Sequence, residues 1–367
     1  MKSSIYILLL FIGPLLPIER VTARQGSNIN NEQYQRLEKA IEHYEKLKNK
    51  EAWTEISLEN NQTELKVNDR SPVIKEIKNR LQLLGDFNTL GNNDVYNHRM
   101  AAAVKRFQAR HGLEENGIIN SVFIKAMNVP LDTRINQLRI NLERLRREST
   151  ENQGKRIVAN IPEYKLHVYE GDREVLSMDI VVGKTTNKTV VFSDELEHIV
   201  FSPYWNVPES IVKKEILPAI KRNSRYLINN NMEIVGTENG VPKIRQKPGS
   251  KNSLGKVKFL FPNKYNIYFH DTPAKALFER NTRAFSHGCI RLSQPFELAK
   301  YLLKDDPKWT DAAIRAAMNA GSEKWVKLKE PVPVSISYYT AWVDPSGDVH
   351  FREDIYGHDR TVVKLEN

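Results

Sequence analysis

Helical and strand patterns occupy different parts of this chain, and the change comes near Arg156. Before that residue, apolar side chains recur every three or four positions, as in residues 73–84 and 101–107, which is the period of an amphipathic helix. After it come short alternating runs rich in β-branched residues, such as 157–161 and 175–182, separated by turn residues. The sequence therefore predicts an α+β protein with a helical N-terminal part and a mostly-β C-terminal part.

The same patterns predict the domain boundaries. A chain of 367 residues is long enough for two or three domains. Helical patterning returns at 208–235, inside the β part, and a hairpin is predicted from strands at 332–342 and 349–351. We predict a helical scaffold segment at 24–63, a small three-helix domain at 64–132, a linker helix at 133–155, a mostly-β domain at 156–330 with a helical insertion at about 203–252, and a C-terminal β-hairpin at 331–367 that completes the β domain or the scaffold.

The first residues have the pattern of an export signal. Lys2 precedes an unbroken apolar run at 5–11, and the small-residue stretch 21–23 follows, as in cleavable secretory signals. The apolar run is shorter than the ~20 residues that cross a membrane as a helix. We therefore predict that residues 1–23 are removed and that the mature protein works outside the cytoplasm.

The net charge of the chain restricts the classes of binding partner that are expected. The chain carries 55 Lys and Arg against 45 Asp and Glu, a net charge of +10, which favours polyanionic surroundings. The basic residues are dispersed, however, and form no block of five or more. No nucleic-acid partner is therefore predicted.

Cys289 is the single cysteine of the chain. An exported protein meets an oxidising compartment in which thiols usually pair, but this thiol has no partner within its own chain. His270, Asp271, His287 and Arg291 lie close to it in sequence. Because a neighbouring imidazole or cation favours the nucleophilic thiolate, the cluster predicts a cysteine nucleophile assisted by a histidine.

The spacing leaves the identity of the base open. His287 shares a face with Cys289 if the segment is extended, whereas His270 ends a strand-like run and could reach the thiol from a neighbouring strand. Gly288 leaves the backbone free to aim N–H groups at a developing oxyanion. Two other interpretations stand beside the nucleophile: a zinc site built from His270, Asp271, His287 and Cys289, and an inert buried cysteine.

These residues carry a family resemblance. His270, followed after 15 residues by Ser286-His287-Gly288-Cys289, resembles the signature of L,D-transpeptidases with a YkuD-type catalytic domain. The stretches 268–273, 245–255 and 340–344 are similar to the YcbB-like subgroup, whose members add a lid inserted in the catalytic domain. Residues 72–129 resemble its three-helix peptidoglycan-binding module.

The resemblance implies a role for each site residue. Cys289 is expected to be the nucleophile and His270 the base and general acid, with the backbone carbonyl of Asp271 orienting the imidazole. His287 is expected to support the site. Ser286 to Cys289, including Gly288, would supply the oxyanion pocket through backbone N–H groups. Substrate binding is expected from Tyr268, Ser286, Arg291 and Trp205, the last at the start of the lid.

The resemblance also implies the reaction. The thiolate would attack the third-residue carbonyl of a peptidoglycan tetrapeptide stem and release D-Ala, and a second stem's amine would then accept the acyl group as a 3→3 cross-link. Water or a lipoprotein lysine as acceptor would make the enzyme a carboxypeptidase or an anchoring transferase. The rival from another class is a non-catalytic wall-binding protein. No metal or cofactor is implied; a Gram-negative periplasmic location, carbapenem inhibition and cell-wall synthesis enzymes as partners are expected.

Overall fold

The computed structural model of the chain describes residues 32–59, 62–88, 93–147 and 154–360. The predicted export signal lies outside these residues. Within the described ranges, no helix is both long enough and apolar enough to cross a membrane.

The elements follow the division between a helical and a mostly-β part. The helices are α1 (Glu32–Lys50), α2 (Val73–Leu83), α3 (His98–Arg110), α4 (Ser121–Met127), α5 (Leu131–Arg147), α6 (Glu209–Ile211), α7 (Leu217–Arg222), α8 (Tyr226–Asn229), α9 (Pro295–Leu302) and α10 (Asp311–Met318). The strands are β1 (Glu64–Leu65), β2 (Ile119–Asn120), β3 (Lys155–Asn160), β4 (Lys165–Glu170), β5 (Arg173–Gly183), β6 (Phe192–Phe201), β7 (Trp205–Asn206), β8 (Met232–Glu238), β9 (Val241–Gln246), β10 (Val257–Leu260), β11 (Phe269–His270), β12 (Ala284–Ser286), β13 (Ile290–Leu292), β14 (Lys324–Ser337), β15 (Ala341–Val343) and β16 (Val349–Phe351).

Helices α2, α3 and α4 form a small module with its own core. The side chains of Asn97 and Asn120 accept hydrogen bonds from backbone N–H groups in the first turns of α3 and α4, which caps both helices. The apolar stripes of the three helices then meet in one buried cluster. Its fully buried members include Ile74, Leu81, Met100, Val104 and Phe123.

A scaffold is formed by α1, α5 and the C-terminal β15–β16 hairpin. Leu37 and Tyr44 of α1 pack with Ile135 and Leu138 of α5 and with Phe351 of β16. The two ends of the described chain therefore share one apolar cluster, and burying that cluster holds them together.

The structure corrects the predicted C-terminal hairpin. Only β15 and β16 form it, whereas Val332, Val334 and Ile336 belong to β14, which pairs with β3 and β6 in the large sheet. β14 also runs through the boundary predicted at 330. The alternation of these residues was recognised, but their pairing partners lie far away in sequence, so local pattern could not assign the strand to its sheet.

The large sheet has the strand order β12-β5-β13-β11-β10-β6-β14-β3-β4, and β4 pairs in addition with β5. The extra pairing closes the ladder into a ring. Inward-facing side chains of the ring form the largest apolar cluster of the protein, which α9 and α10 cover through Leu298 and Ile314. This rigid, closed framework positions the short strands β11 and β13 side by side.

The insertion (residues 203–252) forms a separate unit between β6 and β10. Its helical part ends at Asn229, and β9 pairs with β8 on one side and with β7 on the other, so the helical pattern predicted to 235 ends early. Asn239 and Gly240 both have positive φ at the β8–β9 turn, a backbone that favours a tight hairpin. The buried core of the insertion is small and consists of Val207, Val212, Ile216 and Ile244.

Candidate active site

The predicted site lies on neighbouring parallel strands, β11 and β13. Phe269 pairs with Ile290 and His270 with Arg291. Phe269 and Ile290 are fully buried in the sheet core. Because side chains alternate along a strand, the residues on either side of this pair turn to the opposite face. That face carries Tyr268, His270, Cys289 and Arg291 together.

Cys289 is half-buried, and its thiol sits among groups that oppose each other electrostatically. Burial raises the pKa of the Cys289 thiol, whereas hydrogen bonds from the Tyr268 backbone and side chain and the charge of Arg291 lower it. The Sγ atom lies 3.6 Å from the carbonyl oxygen of Asn266. The thiol is therefore protonated at rest, with donors and a cation in place to stabilise the thiolate once its proton leaves.

His270 is a buried, neutral imidazole. Burial, followed by the positive charge of Arg291, lowers its pKa to about 3. Its Nδ1 lies 2.5 Å from the carbonyl oxygen of Asp271, and since a carbonyl only accepts, Nδ1 carries the hydrogen. The lone pair is left on Nε2, so the ring is prepared to take up a proton there.

The Asp271 carboxylate is held by a different set of contacts from its carbonyl. It accepts from the Lys256 backbone N–H at 2.8 Å and from Lys275 Nζ at 2.6 Å. Gly255 packs directly over it with φ +63°, and a Cβ there would lie 2.3 Å from Oδ2. These contacts lock the peptide whose carbonyl orients His270.

Ser286 organises the turn that leads to the thiol. Its Oγ accepts from the Gly288 N–H at 3.0 Å and donates to the Cys289 carbonyl at 2.6 Å. Gly288 has φ +120°, which only glycine adopts readily. The Gly288 N–H was expected among the oxyanion donors, but Ser286 already occupies it. Ser286, buried at 2% exposure, therefore shapes the turn.

His287 is bonded to the insertion. Its Nε2 lies 2.6 Å from Glu215 Oε1, on the π-helical turn Val212–Ile216. Trp205 is also part of the insertion, where β7 pairs with β9 and the ring packs against the small apolar core. The structure thus places Tyr268, His270, Cys289 and Arg291 on one face, and His287 and Trp205 elsewhere.

The zinc interpretation finds no support in the geometry. Among the residues that the structure describes, no three His, Cys, Asp or Glu side chains are arranged to hold a metal ion. The Nδ1 atom of His270 faces the Asp271 carbonyl, and the Nε2 atom of His287 faces the Glu215 carboxylate.

Several residues of the site were not found from the sequence. Gly255 and Lys275 fix Asp271, Glu215 reaches His287, and Thr189 bonds to the Gly288 carbonyl. Only Gly255 carried a local signal, in the turn-rich stretch that precedes β10. Lys275 lies four residues from Asp271, whereas Glu215 and Thr189 lie 72 and 99 residues from their partners.

Comparison with known proteins gives two matches along the chain. Residues 154–315 match the family model YkuD, described as the L,D-transpeptidase catalytic domain. Residues 70–127 match PG_binding_1, described as “Putative peptidoglycan binding domain”. The chain thus carries a YkuD-type domain preceded by a module of the PG_binding_1 type.

One curated protein is similar to part of this chain. A curated protein of Haemophilus influenzae, named “Putative L,D-transpeptidase”, is 31% identical over 242 residues, which are 62% of this chain and 48% of that protein. The chain therefore spans about half the length of the curated relative it matches.

Among solved structures, an L,D-transpeptidase from Stackebrandtia nassauensis is 13% identical with a TM-score of 0.31, covering 76% of this chain and 97% of that one. An L,D-transpeptidase from Mycobacterium smegmatis is 13% identical with a TM-score of 0.27, covering 50% and 58%.

Proposed function

We propose that this protein is a peptidoglycan L,D-transpeptidase in which Cys289 is the nucleophile and His270 the base. The observation that carries the proposal is the β11–β13 pairing, which puts a thiol and a neutral imidazole on one sheet face. The YkuD match over 154–315 contains both residues. The assignment of His270 over His287 rests on His287 being bonded to Glu215 instead.

The chemistry follows from the protonation states. Nε2 of His270 accepts the Cys289 proton, and Arg291 and Tyr268 stabilise the thiolate. Sγ attacks the third-residue carbonyl of a tetrapeptide stem, forming a C–S bond and a tetrahedral oxyanion. The imidazolium then gives its proton to the departing D-Ala nitrogen as the C–N bond breaks, leaving a thioester. A second stem's side-chain amine attacks the thioester and gives the 3→3 cross-link, releasing the thiol.

Arg291 is the group suited to a substrate carboxylate. Its Nε is buried and has no protein partner among the described residues, and its pairing with His270 on the neighbouring strand supports a position close to the reacting centre. A guanidinium binds carboxylates through paired hydrogen bonds. We assign it to the carboxylate end of the donor stem, next to the bond that breaks.

The insertion acts as a lid over this face. Its contact with the site is the bond between Glu215 and His287, two residues before the nucleophile. Its apolar core is small, and regions with few buried contacts open at low free-energy cost. The donor peptide would enter when this contact opens, and Trp205 would belong to the lid's own packing.

The remaining assignments concern the setting of the reaction. The export-signal pattern at 1–23 indicates that the chain leaves the cytoplasm, and we place it in the periplasm, with residues 1–23 removed. The module at 70–127 would hold the enzyme on peptidoglycan, where cell-wall synthesis enzymes and cell-shape control are its context. The strained amide of a carbapenem would acylate the same thiol, and the resulting acyl-enzyme would release its acyl group slowly.

Intact mass spectrometry tests the proposal. The purified full-length protein and its Cys289→Ala variant are incubated with a carbapenem and, separately, with a disaccharide-tetrapeptide. We expect one carbapenem adduct and D-Ala release for the wild type only. A cross-linked dimer identifies an amine acceptor, whereas a shortened tripeptide identifies water. An adduct that persists in Cys289→Ala, or a folded wild type that releases no D-Ala, would contradict the proposal and favour a wall-binding protein.

A further inference from the structure

A buried hydroxyl network lies directly behind the turn that carries Cys289. Thr189 is fully buried. Its Oγ1 donates to the Gly288 carbonyl at 2.8 Å and accepts from the Gly183 N–H at 2.9 Å. Its own N–H donates to the Tyr356 hydroxyl at 3.2 Å, and that hydroxyl donates in turn to the Gly183 carbonyl. Each hydroxyl in the network therefore has both a donor and an acceptor role filled.

The backbone around Gly183 is shaped for this network. A Cβ at Gly183 would lie 2.1 Å from the Asn187 carbonyl oxygen and 2.8 Å from the Thr189 nitrogen. Glycine at the end of β5 thus allows the 184–189 turn to fold back over the strand. The same turn is tied to the C-terminal segment, because Lys188 Nζ donates to the Tyr356 carbonyl at 2.7 Å. The close packing at Gly183 and the bond from Lys188 together hold Thr189 next to Gly288.

These hydrogen bonds fix the direction of one backbone donor in the turn, the N–H of Cys289. In a trans peptide the carbonyl and the N–H point opposite ways. Since Thr189 holds the Gly288 carbonyl on the interior side, the Cys289 N–H of the same peptide is directed away from Thr189. Within the described ranges, no group accepts from that N–H. The Gly288 N–H, by contrast, is occupied by Ser286.

We propose that Thr189 and Tyr356 are positioning residues that hold the Gly288–Cys289 peptide so that its N–H meets the oxyanion formed on acylation. Neither side chain touches the substrate; Thr189 acts through the Gly288 carbonyl and Tyr356 acts through Thr189 and Gly183. The inference rests on the proposed function. It also explains why a residue near the C-terminus, beyond the scaffold hairpin, contacts the core of the catalytic domain.

Steady-state kinetics of D-Ala release from the disaccharide-tetrapeptide test this role. The variants are Thr189→Val, which keeps the shape but removes the hydroxyl, Thr189→Ser, which restores it, and Tyr356→Phe. Thr340→Val is the matched control, because Thr340 is equally buried and its hydroxyl also both donates, to Asp359, and accepts, from Asn141 and Arg144, in the scaffold. Thermal unfolding is measured for all of them.

A misdirected oxyanion donor lowers the rate of the chemical step and leaves binding intact. We expect Thr189→Val to lower kcat about 10- to 100-fold with KM within about twofold, Thr189→Ser to restore it to within about threefold, and Tyr356→Phe to lower it by less than Thr189→Val. Thr340→Val should change the melting temperature and leave kcat unchanged.

Three outcomes would overturn the role. The first is a Thr189→Val kcat equal to that of Thr340→Val, and the second is a loss that Thr189→Ser does not restore. If Thr189→Val does not fold, the third is a folded Tyr356→Phe with wild-type kcat. An inactive wild type would instead overturn the proposed function, and this role with it, so the two failures are distinguishable.

Discussion

The helical module and the sheet each bury a histidine with the same local bonding, but only one lies in a candidate active site. In the module, His111 Nδ1 lies 2.8 Å from the Phe107 carbonyl oxygen. In the sheet, His270 Nδ1 lies 2.5 Å from the Asp271 carbonyl oxygen. Burial is the main cause that lowers the pKa of both imidazoles. Both rings are therefore neutral and carry the hydrogen on Nδ1.

Their neighbours separate the two histidines. The His111 ring stacks on Phe107 at 3.8 Å between centroids and lies 5.6 Å from the Phe351 ring, so it serves to join the module to the scaffold hairpin. His270 instead shares its sheet face with Cys289. A depressed histidine pKa is thus a consequence of burial in both places, and it indicates catalysis only where a nucleophile faces the free nitrogen.

The largest effect should come from replacing each histidine by glutamine. His270→Gln removes the proposed base, so acylation by the disaccharide-tetrapeptide should fall by about 10²- to 10⁴-fold. His111→Gln removes an equally buried ring that faces no thiol, so the acylation rate should stay within about twofold while thermal stability falls. Stopped-flow acylation and calorimetry on both variants measure this. Equal losses of activity would show that the contrast between the two sites is wrong.

A smaller effect is expected from two glycines that share a backbone conformation. Gly255, beside the site, and Gly240, in the insertion, have φ +63° and +76°, so alanine strains both backbones alike. A Cβ at Gly255 would meet the Asp271 carboxylate, whereas one at Gly240 meets nothing within 4 Å.

Gly255→Ala should therefore displace Asp271 and with it the carbonyl that orients His270, lowering kcat about 10- to 100-fold. Gly240→Ala should lose stability through backbone strain alone and keep its kcat. The measurement is D-Ala release together with melting temperature. Full activity in a folded Gly255→Ala would mean that the Asp271 peptide does not control the imidazole.

These contacts mark how far sequence reasoning reaches. The helices of the module were predictable because their period is local, and the thiol and its two candidate histidines were predictable because their chemistry is distinctive. The base itself was not decided by spacing. The pairing of β11 with β13 sets His270 beside Arg291, and His287 is bonded to Glu215 of the insertion; neither contact is visible in the spacing.

Two of the unpredicted residues lie far along the chain from the groups to which they bond. Thr189 reaches Gly288 across 99 positions, and Tyr356 reaches Gly183 across 173. Nothing in a local window distinguishes such a threonine from one in a surface turn. The misassigned residues 332–337 have the same origin, because alternation identifies a strand and only its partners identify the sheet.

The pH dependence of the free energy of unfolding should distinguish His270 from His167, which is bonded to two glutamates. Burial lowers the pKa of His270 to about 3. Between pH 6.5 and 3 the unfolded chain therefore binds a proton that the folded chain excludes. The free energy of unfolding falls as the pH falls, by about 1.4 kcal/mol per pH unit from this group.

His167 should behave in the opposite sense. Burial alone would lower its pKa, but hydrogen bonds to Glu163 and Glu174 raise it to about 9. Its contribution is complete below pH 6.5 and is lost as the pH rises toward 9. Urea unfolding from pH 4.5 to 9 of wild type, His270→Gln and His167→Gln measures both. The first variant should lose the acid slope and the second the alkaline one; unchanged slopes would contradict the assigned charge states.

The smallest effect should come from removing the contact between His287 and Glu215 of the insertion. The side chains of His287 and Glu215 are both partly exposed, at 36% and 52%, and exposed polar contacts of this kind contribute only about 0–1 kcal/mol. Glu215→Ala should therefore raise KM for the disaccharide-tetrapeptide by about two- to fivefold, because the proposed lid can no longer re-form this contact over a bound donor, and kcat should change little.

Glu238→Ala is the matched control. Glu238 also lies in the insertion and pairs with Lys243 at 3.0 Å, but both members of that pair belong to the β8–β9 hairpin and neither reaches the nucleophile. It should leave KM and kcat unchanged. A lid contact acts on substrate binding, whereas a base acts on the chemical step. A Glu215→Ala variant that lowers kcat as strongly as His270→Gln would therefore contradict this distinction. It would return His287 to the catalytic centre.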